Sequence, residues 1–167
     1  MTNKKDNSLR NGIVLLLLTN LITNCLTFGY QQNKIHQIQQ QEKLFEKQQE
    51  LFVNAFVMPS KMYSAIWGMW YAVQENASQN EREKRAEKLQ SFFDEANIIG
   101  VELSLNFKNQ NIYKDWDNFM QKYHHAQYPI TREGITEKEL NKRLHEADVY
   151  IENMQKNMYL EIKQRKK

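Results

Sequence analysis

Apolar and polar positions divide the chain into five consecutive segments. Residues 1–11 form a basic head, residues 12–30 an uncharged apolar segment, residues 31–58 a polar stalk with partial heptads, residues 59–162 a helical bundle and residues 163–167 a basic tail. Gly and Pro are scarce, with 5 and 2 residues, so long helices with few turns are expected. The pattern predicts an all-α protein: an N-terminal transmembrane helix that continues into a long stalk helix, followed by an irregular bundle of about four helices.

The segment of residues 12–30 is the predicted membrane anchor. No charged residue occurs between Arg10 and Lys34, and a helix that crosses the hydrocarbon core needs roughly 20 mostly apolar residues. Asn20, Asn24 and Thr27 fall on one helical face, where polar side chains can pair membrane helices. The residues expected to contact lipid are Ile13, Val14, Leu15, Leu16, Leu17, Leu18, Leu21, Ile22, Leu26 and Phe28.

A lipoprotein signal is the alternative interpretation of the same segment. Lys4, Lys5 and Arg10 precede the apolar centre, as the basic residues of a signal sequence do. Cys25 follows Ile-Thr-Asn, which loosely fits a bacterial lipoprotein box in which the cysteine is lipidated. Asn24 stands where that box has a small residue, so the uncleaved anchor is preferred.

The basic residues also predict an orientation. The three basic residues of the head lie close to the anchor, whereas Lys34 is the first basic residue on its other side. Lys and Arg near a membrane helix favour the cytoplasmic side. We therefore expect a single-pass protein of a bacterial inner membrane, with its C-terminal domain outside the cytoplasm.

A heptad-like seam follows in the stalk, and it allows two interpretations. The first is a solvated stalk that becomes a core helix near Phe52, and the second is a parallel coiled-coil dimer. Pro59 is predicted to end or kink this helix. The seam consists of Ile35, Ile38, Glu42, Phe45, Gln49, Phe52 and Phe56, at spacings of three and four.

Two further helices are predicted in the first half of the bundle. Residues 60–73 carry apolar side chains around nearly the whole circumference, which is typical of a buried central helix. Residues 81–107 have an apolar stripe at helical spacing, although residues 101–107 alternate like a strand. A helix is the preferred prediction for residues 101–107. Gly100 indicates either that another helix approaches closely or that the helix bends.

The second half of the bundle is predicted to hold a short helix, a loop and a long helix. The short helix covers residues 112–124, and Pro129 and Gly134 mark the loop over residues 128–134. Thr136 and Glu139 have the spacing of a capping box. They open one last helix, whose apolar stripe runs from Leu140 to Ile162.

The sequence carries no recognisable catalytic, metal-binding or nucleotide-binding motif. Carboxylates fall on charged faces, and there is no Gly-rich phosphate loop. His124 and His125 are adjacent, about 100° apart on a helix, whereas helical metal sites use positions i and i+4. We therefore expect a non-enzymatic protein with no cofactor and no metal. The net charge of +3 comes mostly from the termini, so no nucleic-acid partner is expected.

One short motif carries a family resemblance. Phe92-Phe93-Asp94-Glu95, followed by Trp116 and preceded by an N-terminal anchor, resembles small bacterial membrane-anchored helical proteins of unknown function. The resemblance covers about 30 residues. It implies a helical bundle and no activity.

These patterns favour a non-enzymatic protein-interaction or tethering module. Its expected partners are the membrane, another membrane or envelope protein, and a second copy bound through the helical seams. One alternative is a membrane-bound sensory domain that binds a small ligand in an aromatic pocket around Trp67, Trp70 and Trp116. Another is a small membrane-acting toxin or phage-exclusion factor, which the size and the anchor permit.

Overall fold

The computed structural model describes residues 3–132 and 134–164, and the side chains of residues 18–130 and 134–164. The described residues form five helices and no strand: α1 (Asn3–Gln74), α2 (Gln79–Asn106), α3 (Gln110–Arg132), α4 (Glu137–His145) and α5 (Asp148–Gln164). The predicted all-α class, with a long N-terminal helix and a helical bundle, is confirmed. The chain divides into two units, residues 1–43 and residues 44–167.

The N-terminal unit is helical throughout its described residues, and its described side chains are exposed. The hydroxyls of Thr23 and Thr27 donate to the carbonyl oxygens of Thr19 and Thr23, each over 2.8 Å. Within the part of the chain whose side chains are described, no helix has an apolar stretch long enough to cross a bilayer.

The predicted transmembrane, single-pass anchor therefore receives no support from the described residues. Polar side chains interrupt the described part of the segment, namely Thr19, Asn20, Thr23, Asn24 and Thr27. The side chains of the predicted anchor residues Ile13, Val14, Leu15, Leu16 and Leu17 lie outside the described residues.

The core of the C-terminal unit is built around a buried stripe of α1 and the inner face of α3. Helix α3 packs against α2, α4 and α5, and its aromatic side chains Trp116, Phe119 and Tyr123 are almost fully buried. The stripe of α1 consists of Gln48, Leu51, Ala55, Met58, Met62 and Ile66. Spacings of three and four place these residues on one helical face.

The structure corrects the predicted seam of α1 and the predicted helix end at Pro59, while a kink at Pro59 stays a prediction. The buried face is not the predicted seam, because Gln49 and Phe56 are exposed whereas Gln48 and Ala55 are fully buried. The helix also neither ends nor restarts at Pro59, which lies inside α1. Pro59 and the neighbouring Met58 are buried, so tertiary packing outweighs the backbone hydrogen bond that proline cannot donate.

A second proline prediction was also wrong. Residues 128–132 belong to α3, which runs through Pro129 to Arg132. Pro129 cannot donate to the carbonyl of His125 one turn earlier, and Nη1 of Arg143 donates to that carbonyl instead, over 3.3 Å. The connection to α4 includes Gly134, whose φ of +67° is a left-handed conformation that favours glycine.

The predicted last helix is divided into α4 and α5. The N–H of Ala147 donates to the carbonyl of Leu144 over 3.1 Å, a three-residue spacing that interrupts the α-helical pattern. The side chain of Thr136 accepts from the N–H of Glu139, as predicted for the start of α4. The carboxylate of Glu139 accepts from Nε of Arg143 over 3.0 Å, and not from Thr136 as in a complete capping box.

Gly100 allows a close helix approach, one of its two predicted roles. Helix α2 continues past Gly100 to Asn106, so no bend ends it there. A Cβ atom at this position would lie 2.9 Å from both Cδ1 and Nε1 of Trp116. Nε1 of Trp116 donates to the carbonyl of Ala96 over 3.1 Å. The missing side chain therefore lets the indole reach the backbone of α2.

Candidate interaction surface

Helices α1 and α2 form an antiparallel pair in the C-terminal unit. Nζ of Lys47 lies 3.1 Å from Oε1 of Glu102, and Nζ of Lys61 lies 3.2 Å from Oε1 of Glu95. Residue numbers therefore rise along α1 as they fall along α2. The carboxylate of Glu102 raises the pKa of Lys47 by hydrogen bonding. The first pair is half-buried and the second is exposed, so both are consistent with this register and each is expected to contribute little to stability.

A set of exposed apolar side chains, which we call the outer patch, lies on α1 and α2 around the level of these two ion pairs. It consists of Val53, Phe56 and Val57 on α1 and Ile98, Val101 and Leu105 on α2. Phe56 is 56% exposed and Leu105 is 77% exposed. On each helix the spacings of three and four collect these residues on the side away from the buried stripe. Grouped apolar side chains of this kind are typical of protein interaction sites.

A groove between α1 and α2, which we call the basic groove, begins at Val57, where the outer patch ends. Its volume is about 540 Å³. Among the described residues that line it, three are cationic and none is acidic. The lining residues are Val57, Ser60, Lys61, Ser64, Ala65, Gly68, Arg85, Lys88 and Phe92.

The walls of the basic groove combine cations with an aromatic ring. Nζ of Lys61 and Nζ of Lys88 each lie 5.9 Å from the ring centroid of Phe92, within the range of cation–π attraction. Arg85 donates from Nη1 to the carbonyl of Gly68 and from Nη2 to Glu81, each over 2.6 Å. These contacts hold positive charge at the edge of the groove.

A second groove, between α3 and the α4–α5 segment, has a different charge pattern. Nζ of Lys122 lies 3.0 Å from Oε2 of Glu146, and Nε of Arg143 lies 3.0 Å from Oε1 of Glu139. The bond from Lys122 lowers the pKa of Glu146, and Glu146 raises the pKa of Lys122. His125 also lines this groove. The carboxylates that pair with its cations are themselves lining residues, whereas Glu95 and Glu81, which pair with Lys61 and Arg85, lie outside the lining of the basic groove.

The three predicted ligand-binding tryptophans lie in two separate ring clusters. Trp67 and Trp70 contact each other edge to face, with ring centroids 5.5 Å apart, whereas Trp116 contacts Phe119 at 5.2 Å. Nε1 of Trp70 donates to the carbonyl of Ile135 over 2.9 Å, which links α1 to the loop before α4. None of the three lines either groove, and a ligand role for them stays a prediction.

The predicted anchor residues within the described part are all exposed. They are Leu18, Leu21, Ile22, Leu26 and Phe28, with exposed fractions from 50% to 71%. Cys25 is an exposed free cysteine, and its lipidation stays a prediction. Among the described residues, no three His, Cys, Asp or Glu side chains form a cluster that could hold a metal ion.

Sequence reasoning missed two features of the C-terminal unit. The basic groove was missed because Lys61 and residues 85–92 belong to different helices, and residues 81–85 look like a solvated charged face. The buried Gln48 was also missed. Its Nε2 donates to the carbonyl of Asn106 over 2.6 Å and to Oε1 of Glu161 over 3.3 Å. In a glutamine-rich stretch, nothing distinguishes this residue from its exposed neighbours.

The chain matches no protein-family model, no curated protein and no solved structure. Its resemblance to small membrane-anchored helical proteins therefore stays a prediction.

Proposed function

We propose that this protein is a non-enzymatic interaction module whose N-terminal unit attaches to a membrane and whose C-terminal unit presents a surface to a partner protein. One observation carries the proposal. Large apolar side chains remain exposed in both units, although the C-terminal unit already has an extensive core of its own. Burying such side chains outside water is favourable by about 25 cal/mol per Å² of apolar surface.

Lipid is the proposed environment of the apolar side chains in the N-terminal unit. No charge interrupts the sequence between Arg10 and Lys34. The hydroxyls of Thr23 and Thr27 are satisfied by backbone carbonyls of the same helix, which lowers the cost of moving them into hydrocarbon. The uncharged sequence also includes the apolar run Ile13–Leu18, which strengthens its affinity for a bilayer.

A protein is the proposed partner of the outer patch. Its six apolar side chains come from two helices that ion pairs join nearby. Because the patch sits on paired helices and not on a loop, it is ready to bind without ordering a flexible segment. An apolar centre with charged residues at its edge is the usual composition of a protein interface.

Liposome flotation of the full-length protein tests the attachment. We expect Leu21→Gln combined with Leu26→Gln to reduce the floating fraction strongly, because both side chains are proposed to enter lipid. Ile35→Gln combined with Ile38→Gln is the matched control, since these residues are also exposed but lie in the polar stalk. Undiminished flotation of the first variant would contradict the proposal.

Photo-crosslinking in cells of the source organism tests the partner surface. A photoreactive residue at Val101 is expected to give a discrete adduct, whereas the same residue at the exposed Glu152 of α5 is not. Mutation of Ile98 to Glu should remove the adduct at Val101. Equal labelling from both positions would count against a specific partner surface.

A further inference from the structure

We propose that the basic groove binds an acidic amphipathic helix of a partner protein. Its apolar side chains would lie on the groove floor, and its carboxylates would face Lys61, Arg85 and Lys88. This inference rests on the proposed function only in giving the C-terminal unit a role in protein interaction. It adds a binding site and a chemical class of partner.

The floor of the groove has room for side chains from outside. Ser60, Ser64 and Gly68 recur every four residues on α1, and Ala65 lies beside them. None of these side chains is larger than a hydroxymethyl group, so the floor lies close to the backbone of α1. Val57 and Phe92 supply apolar walls. The shape and chemistry suit aliphatic side chains that project from one face of a helix.

Charge complementarity is the reason for proposing a negatively charged partner helix. The described lining residues carry three positive charges and no negative charge, whereas the groove beside α3 contains both signs. Lys61 and Arg85 also pair with Glu95 and Glu81 just outside the lining, so Lys88 contributes the positive charge that is least neutralised by the chain itself. The ammonium groups of Lys61 and Lys88 flank the Phe92 ring, so a partner whose apolar side chain contacts that ring brings its neighbouring side chains close to both cations. Carboxylates at those neighbouring positions gain two attractive contacts, and cations would be repelled.

The dimensions of the groove fit a short helix. The α1 residues that line it run from Val57 to Gly68, which corresponds to about 16 Å at a rise of 1.5 Å per residue. A partner helix of about three turns covers that length. Since Val57 belongs both to the groove and to the outer patch, a longer partner helix can extend from the groove onto the α1 side of the patch.

The test uses full-length protein in nanodiscs of neutral lipid and a fluorescent synthetic helix of about 14 residues. The peptide has Leu at helical spacings of three and four, with Glu on both flanks. A matched peptide has Gln in place of each Glu. We expect the Glu peptide to bind about tenfold more tightly than the Gln peptide in fluorescence anisotropy, and added salt should reduce the difference.

Two protein variants test the location of binding. Lys88→Gln removes a lining charge, and Lys84→Gln on the exposed side of the same helix is its matched control. Ser64→Trp fills the floor without changing the charge, and Ser91→Trp at an exposed position of α2 is its control. Lys88→Gln should weaken binding of the Glu peptide about three- to tenfold. Ser64→Trp should abolish it, while both controls bind normally.

Four outcomes would overturn the proposal. Equal binding of the Glu and Gln peptides would remove the charge argument, and full binding by both Lys88→Gln and Ser64→Trp would remove the site. Displacement of the peptide by phosphatidylserine vesicles, but not by phosphatidylcholine vesicles, would assign the groove to anionic lipid. A dimer in sedimentation that Ser64→Trp disrupts would assign it to a second copy of the chain. If the Glu peptide does not bind, but the protein still floats with liposomes and still gives the Val101 adduct, only this inference fails and the proposed function stands.

Discussion

Helix α1 carries apolar side chains in two regions that differ in their surroundings. Between Leu18 and Phe28 the large apolar side chains are exposed, whereas the stripe from Leu51 to Ile66 is almost completely buried. The backbone is helical in both regions, so secondary structure does not account for the difference. What differs is whether other helices of the same chain cover the apolar face.

This difference is the basis of the two roles that we propose for α1. In the C-terminal unit, apolar residues of α1 are covered by the chain itself and contribute to the stability of the bundle. In the N-terminal unit, they cannot contribute to a core, so their apolar surface remains for a lipid or protein partner. Substitutions in the two regions should therefore differ in kind, because one set removes core contacts and the other changes the proposed attachment surface.

Matched leucine truncations give the largest expected contrast between the regions. Leu51 is 0% exposed and Leu21 is 62% exposed. Leu51→Ala should lower the free energy of unfolding by about 2–5 kcal/mol, because it leaves a cavity in the core. Leu21→Ala should change it by less than about 0.5 kcal/mol. Urea denaturation followed by tryptophan fluorescence reports on the bundle alone, since Trp67, Trp70 and Trp116 all lie there. Equal losses of unfolding free energy in the two variants would contradict the distinction between the buried and the exposed region of α1.

Matched glycine substitutions give the next largest contrast. A methyl group at Gly100 would lie 2.9 Å from the Trp116 ring, whereas one at Gly29 would meet no atom within 4 Å. After allowing for the better helix propensity of alanine, Gly100→Ala should destabilise the bundle by about 1–2 kcal/mol. Gly29→Ala should cause no loss. Thermal unfolding by circular dichroism measures both, and an unchanged melting temperature for Gly100→Ala would contradict the close packing of α2 against α3.

Substitution of Glu161 is expected to cause a smaller loss of stability, confined to the C-terminal unit. Its carboxylate accepts from the backbone N–H groups of Lys108 and Asn109, over 2.9–3.1 Å. Glu161→Ala removes these bonds at the start of α3 and should cost about 1 kcal/mol in chemical denaturation. Glu152→Ala, at an exposed position of the same helix, is the control. A smaller loss for Glu161→Ala than for Glu152→Ala would show that this link does not stabilise α3.

The smallest effect concerns the ion pair of the second groove. Lys122 holds the pKa of Glu146 below its ordinary value. Lys122→Met should raise that pKa, as measured by NMR titration of the Glu146 carboxyl carbon. A carboxyl with a lowered folded-state pKa contributes stability above its unfolded pKa and loses it as pH falls through the folded pKa. Any stability difference from the wild type should therefore vanish in acid. Lys138→Met is the control, and an unshifted titration in Lys122→Met would contradict the pair.

The sequence predicted the helical class and most of the helices, but not the points where packing outweighs local preference. Pro59 and Pro129 are strong local signals for helix ends, yet both lie inside helices. For Pro129, the compensating donor is Arg143, which is 14 positions away in the sequence and belongs to another helix. No local pattern encodes such a contact.

The candidate site was less predictable than the fold. The outer patch requires knowing which apolar positions of α1 face outward, and the predicted seam placed Phe56 on the inner side. The basic groove requires knowing that Lys61 and Lys88 converge on Phe92. Both depend on the register between α1 and α2, which is set by tertiary contacts. Periodicity gives the spacing of a helical face but does not identify its partner.

Water accessibility of Cys25 tests most directly whether lipid covers the exposed apolar region of α1. Cys25 is the single cysteine and lies among the exposed apolar residues of the N-terminal unit. Full-length protein in native membranes should be protected there from a water-soluble maleimide, whereas a Cys25→Ser variant that carries Ile38→Cys in the stalk should be labelled. Intact mass would reveal lipidation as another cause of protection. Rapid labelling of Cys25 in intact membranes would contradict membrane attachment through this region.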